Sequence, residues 1–159
     1  MPTFNANRSS FTPSVTAITP TPNWCLDAVG TGVFGKVVMF SWGGQETTST
    51  AYSTRWVRPV TAGTGAKTAI TIGYAQPNYT TAAFTATASY ATSQPAIPAA
   101  GVGDLWNESW NGQGGVGAIA LPLNNPWWVS TGVLVSALEC ANVTGVGAAT
   151  TSYGVTWEE

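Results

Sequence analysis

Through most of the chain apolar and polar residues alternate with a period of two, the mark of strands with one buried face. The segment 84–91, FTATASYA, sets Phe84, Ala86, Ala88 and Tyr90 on one side and Thr85, Thr87 and Ser89 on the other. In 36–42, KVVMFSW, Val37 and Met39 oppose Val38, Phe40 and Trp42; in 67–73, KTAITIG, Thr68, Ile70 and Ile72 oppose Ala69 and Thr71. The segment 132–141, GVLVSALECA, sets Leu134, Ser136, Leu138 and Cys140 against Val133, Val135 and Ala137, and the closing SYGVTWEE gathers Tyr153, Val155 and Trp157. With STRWVRP at 53–59 and GAIALPL at 117–123, this predicts seven or eight short strands. No window carries a helical period, and the Thr and Val content opposes one. Short strands joined by loops of very unequal length predict an all-β fold, a two-sheet antiparallel sandwich or jelly roll.

Three stretches add detail. Residues 1–23 are rich in Asn, Ser, Thr and Pro, with Pro13, Pro20 and Pro22 opposing a helix and only Phe4, Phe11, Val15 and Ile18 available for burial. They read as an extended N-terminal arm, leaving 24–159 as a single sandwich domain. Gly43 and Gly44 are predicted to turn the chain, so that 47–59, TTSTAYSTRWVRP, returns as the antiparallel partner of 36–42. On that returning strand Arg55 and Val57 share one face, Trp56 and Arg58 the other. Residues 92–115, TSQPAIPAAGVGDLWNESWNGQGG, read as a long irregular loop. Loops of that length in compact domains are functional or disordered, and Trp106 and Trp110 favour function.

Composition narrows the function. Only 8% of the 159 residues are charged, with a formal net charge of −2, against about 25% charged in an average soluble domain. Nucleic acid is excluded as a partner, because neutralising phosphates needs a cluster of Lys and Arg. No run approaches the roughly 18 apolar residues of a membrane span, and MPTFNANRSSF lacks a signal peptide, so the protein is expected to be made in, and at first to reside in, a cytoplasm. There Cys25 and Cys140 are expected as reduced, buried thiols.

Catalysis finds little support. There is no histidine, so a Ser or Cys nucleophile lacks its usual base. Two thiols alone do not close a zinc shell, and no metal or other cofactor is expected. Asp104 and Glu108 are the one nearby carboxyl pair in a Trp-rich segment, and their spacing permits a glycosidase geometry without implying it. The chain is expected not to be an enzyme.

All five bases (Arg8, Lys36, Arg55, Arg58, Lys67) precede residue 68 beside two acids, a net +3, and the five acids that follow make the remainder −5. Such segregation would let opposite ends of neighbouring copies attract. Eight tryptophans exceed what a core of this size needs. Trp24, Trp42 and Trp157 suit sheet packing. Trp106, Trp110, Trp127 and Trp128 suit contact sites, with one of the adjacent pair pointing outward. The candidate protein-contact residues are therefore Phe4, Arg8 and Phe11 of the arm, Arg55, Arg58, Trp106, Trp110, Trp127 and Trp128.

Two stretches, SWGGQETTSTAYSTRWVRP and NGQGGVGAIALPLNNPWWV with the ending YGVTWEE, resemble tailed-phage virion structural proteins of the capsid decoration, or cement, type. The likeness spans residues 36–60 and 112–159, and Gln45 stands where an acid is more usual, with Glu46 displaced by one. The resemblance implies an all-β fold, self-association, commonly as a trimer, and binding to the major capsid protein on the capsid surface. The expected function is thus a decoration protein that stabilises a phage head. Alternatives are a tail or fibre component, or a carbohydrate-binding module using Trp106, Trp110, Trp127 or Trp128 as a flat sugar platform. If residues 1–22 are a docking arm, removing them should leave a folded sandwich that no longer binds capsids.

Overall fold

A computed structural model describes residues 1–11, 24–28, 34–44, 46–47, 49, 51–61, 63–79, 81–93, 95–96, 98, 104–122, 124–130, 136–144 and 151–159, with backbone alone for 9–11, 28, 89, 90, 130 and 136–144. Its strands are β1 (Thr3–Phe11), β2 (Trp24–Ala28), β3 (Phe34–Gly44), β4 (Ala51–Val57), β5 (Lys67–Ile70), β6 (Ile72–Tyr74), β7 (Phe84–Tyr90), β8 (Asp104–Asn111), β9 (Val116–Ala120), β10 (Trp127–Ser130), β11 (Ser136–Thr144) and β12 (Thr151–Glu158). Every pairing among them is antiparallel. The first six-stranded sheet runs β10-β3-β12-β1-β6, with β9 also paired to β3, and the second runs β5-β7-β2-β11-β4-β8.

The sheets pack face to face. Phe4, Ala6, Val37, Phe40, Val129, Tyr153, Val155 and Trp157 enter the core from the first sheet, and Trp24, Leu26, Trp56, Phe84 and Ala86 from the second. Rings meet across the interface, Trp24 with Trp157 at 6.5 Å and Phe40 with Trp56 at 5.1 Å. The predicted two-sheet antiparallel sandwich is the fold of this chain.

The period of two survives in two strands: Phe84, Ala86 and Ala88 of β7, and Tyr153, Val155 and Trp157 of β12, are all buried. In β3 it fails. Trp157 lies opposite Val37 and Thr156 opposite Met39, so Val38 is an extra residue, a β-bulge that re-aims its neighbours. Val37 and Phe40 consequently both point inward, while Met39 is exposed. The predicted 67–73 strand is divided between sheets, β5 in the second and β6 in the first, with Ile70 and Ile72 both packed on the core.

Two expectations need correction. Residues 3–11 of the supposed arm form β1, extended as predicted but integral to the sandwich, between β12 and β6, with Phe4 and Ala6 fully buried. Hydrophobic burial of these two and the ladders to both neighbours hold it there; residues 12–23 lie outside the described ones. The Gly43–Gly44 turn does not form either. Both glycines lie within β3, which belongs to the first sheet, whereas β4 pairs with β11 and β8 in the second.

The connections from β4 to β5 and from β7 to β8 each have to cross the second sheet. They run side by side, bridged at Thr61–Ala96 and Thr64–Ser93, and Arg55 on the outer face of β4 donates to the Pro98 carbonyl at 3.2 Å. On this covered face Cys25, Asp27, Val57 and Thr87 are buried.

Candidate interaction surfaces

Strand β8 is the edge of the second sheet, inside what reads from sequence as a loop. Trp106 lies opposite Trp56, Glu108 opposite Thr54 and Trp110 opposite Tyr52, so these three β8 residues face inward while Asn107, Ser109 and Asn111 face out. Trp106 approaches Phe40 at 5.9 Å, Trp127 stacks on Phe40 at 4.7 Å, and Trp110 stacks on Tyr52 at 4.9 Å. Trp42 stacks on Phe40 from the first sheet at 5.9 Å. It fits because Gly117 opposite has no side chain: a Cβ there would lie 2.2 Å from the indole. Three of the predicted contact residues, Trp106, Trp110 and Trp127, are thus brought together, but as an inward-facing aromatic edge. The flat platform of exposed rings does not form.

Glu108 sits within this edge. It accepts hydrogen bonds from the Thr54 hydroxyl and, at 3.1 Å, from Trp56 Nε1. Its second oxygen, Oε2, and Trp110 Nε1 are buried without a hydrogen-bond partner among the described residues. Each such group costs about 1–3 kcal/mol when left unpaired. Burial raises the Glu108 pKa above the usual carboxylate range, and the Thr54 and Trp56 hydrogen bonds oppose the shift. A bulge between Trp106 and Asp104 puts Asp104 on the opposite face of the sheet, beside Arg55. The carboxyl pair that the sequence offered is therefore split.

The outer face of the first sheet is the other candidate. Trp128 pairs with Lys36, Met39 with Ala120 and Gly43 with Val116, which places Phe34, Met39, Val116 and Trp128 on one side. Phe34 is 68% exposed, Val116 79% and Trp128 55%. Of the Trp127–Trp128 pair, one points in and one out, as expected. Arg58 reaches this rim from beyond β4 and donates from Nη2 to the Trp128 carbonyl at 2.6 Å. Arg58 and Trp128 are the predicted contact residues that the structure both exposes and joins. Phe34, Met39 and Val116 went unnoticed in the sequence, although Val116, Ala118 and Ala120 alternate there.

The segregated charges meet within the chain. Lys36 Nζ lies 2.8 Å from Glu158, Lys67 Nζ 3.4 Å from Asp27, and Arg55 pairs with Asp104 while its Nε donates to the same carboxylate at 2.9 Å. Two of these pairs join the basic part of the sequence to the acidic part. Arg55 is therefore a buried, satisfied cation and not a contact residue. Arg58 enters none of the ion pairs among the described residues.

The remaining candidates are structural or lie outside description. Phe4 is core, stacked on Trp157 at 5.9 Å. Arg8 is half-buried and donates to the Ala88 carbonyl of the facing sheet at 3.2 Å. Phe11 pairs by backbone with Thr151, and its side chain is outside the described ones, as is that of Cys140. Cys25 is buried as expected. No protein-family pattern, curated protein or solved structure matches this chain.

Proposed function

We propose that the protein is a non-enzymatic virion component, a decoration subunit that binds the major capsid protein lattice of a phage head and stabilises it. The observation that carries this reading is the outer face of the first sheet, where Phe34, Met39, Val116 and Trp128 lie exposed on one side. Large apolar side chains exposed together on one sheet face favour a contact site there, and Trp and Arg are the favoured anchors of such contacts. Arg58 beside Trp128 favours an occupant that offers a carboxylate next to apolar side chains, which in this reading is the capsid-protein surface, so that the pair is desolvated together. Repetition over a lattice multiplies a modest single contact by avidity. Self-association, as a trimer, places several such faces on one particle.

The test is light scattering on a size-exclusion column together with co-sedimentation with capsids stripped of minor proteins. The expected result is a multimer that pellets with the shells, and loss of pelleting in Trp128→Ala and Arg58→Ala with the fold intact. A monomer that stays in the supernatant, or variants that bind as well as the parent, would refute the reading.

A further inference from the structure

The two long sides of the sandwich are closed differently. On one, the chain itself passes from β5 to β6 through Thr71, joining the second sheet to the first. On the other, β8 of the second sheet faces β9 and β10 of the first. The backbone bridges that side at one end through the turn between β8 and β9, where Gly44 N donates to Gly115 O at 2.8 Å. At the other end the Arg58 side chain reaches the Trp128 carbonyl. Between these two ties, among the described residues, side chains fill the gap. Trp42, Trp110 and Trp127 are partly buried there, and Trp106 is 40% exposed.

Inside this gap are a carboxyl oxygen, Glu108 Oε2, and an indole donor, Trp110 Nε1, both without hydrogen-bond partners among the described residues. They project from the inward face of one strand, two residues apart, roughly 7 Å along it. The Glu108 residue is 9% exposed, and its other oxygen is fixed by Thr54 and Trp56, so the open lone pairs have a defined position. We infer that the β8 edge is a binding site for a neutral polyhydroxylated ring, a sugar residue, with Trp106 as its movable wall.

The chemistry follows from the groups present. A sugar ring has one face of C–H bonds, which stacks on an indole, and hydroxyls at its rim that both donate and accept. Glu108 Oε2 takes a donated hydroxyl and Trp110 N–H gives to an accepting one. A purely apolar ligand would leave both polar groups unpaired, and an anion would meet the carboxylate. Both polar atoms are buried, so side chains of this edge part as the ring enters; Trp106, 40% exposed and the most exposed of the four indoles, is the wall we assign to move and to stack on the ring. This site lies between the sheets, apart from the outer face proposed for capsid docking, and either can fail without the other.

The test uses the full chain labelled with nitrogen-15, whose indole N–H signals are followed by NMR. The probes are hexasaccharides of glucose, N-acetylglucosamine, galactose, mannose and xylose. The expected outcome is a saturable shift of the Trp110 and Trp106 indole signals with at least one of them, with affinity reduced about tenfold or more by Trp106→Ala and by Glu108→Gln. Glu108→Gln keeps the shape of the site, so it holds the test open if Trp106→Ala perturbs folding. Absence of any shift with all five at about 10 mM, where even millimolar affinity would register, overturns the inference. So does a shift that both variants leave unchanged, or a Trp110 N–H that contacts only bound water.

Discussion

Glu108 accepts the indole N–H of Trp56 at 3.1 Å, which holds a carboxyl group against a tryptophan in the space between two sheets. Its pKa is raised by burial, so the folded state binds a proton on this group more tightly than the unfolded state does. The stability this group contributes is fully present below its unfolded value near 4.5 and is lost as pH rises through the higher folded value. Thermal unfolding followed from about pH 4 to about pH 8 should therefore show Glu108→Gln gaining on the parent as pH increases. A constant difference between the two proteins across that range would contradict it.

Removing residues 1–11 should abolish cooperative unfolding. The deletion takes out a strand held by β12 on one side and β6 on the other, so the folded, non-binding product expected of a docking arm is not what should appear. The single change Phe4→Ala should cost about 3–5 kcal/mol, as for other buried aromatic truncations, because Phe4 stacks on Trp157 and meets Tyr74 edge-on at 5.8 Å. Circular dichroism and urea titration report both.

The ion pairs should differ in weight. Asp104→Ala leaves the Arg55 guanidinium, whose side chain is 6% exposed, charged and without its carboxylate, at a cost of about 3–5 kcal/mol. Glu158→Ala breaks the more exposed Lys36 pair and should cost about 0–1 kcal/mol. Equal effects in urea unfolding would show that burial does not govern them.

Gly117→Ala should destabilise by about 1–3 kcal/mol through overpacking, since the added methyl meets the Trp42 ring. The double variant with Trp42→Phe should recover part of the loss, which a thermal melt of the single and double variants measures.

Much of the sandwich was legible because its strands alternate. β7 and β12 carry their core residues at every second position without interruption. Bulges and sheet changes hid the rest. One extra residue at Val38 reverses the faces of β3, and the run through Ile70 and Ile72 looks like one strand although it spans two sheets. β8 was hidden by its own chemistry: Trp106, Glu108 and Trp110 alternate correctly with Asn107, Ser109 and Asn111, but a charged residue at a core position reads as solvated loop. Arg55 misled for the opposite reason. Its partner Asp104 is supplied by β8, the neighbour of β4 in the sheet and distant in sequence, and spacing alone gives no sign of that.

The place of β12 between β3 and β1 sets an order of events. β1, made early, gains its longest ladder, from Thr3–Glu158 to Phe11–Thr151, only when β12 arrives. Pairings so distant in sequence put folding in the range of milliseconds to seconds, set by the wait for non-local contacts. During that wait Phe4 and the rings that cover it stay in water, and the nascent chain is most open to mispairing with its neighbours. Until β12 inserts between β3 and β1, no complete first sheet exists.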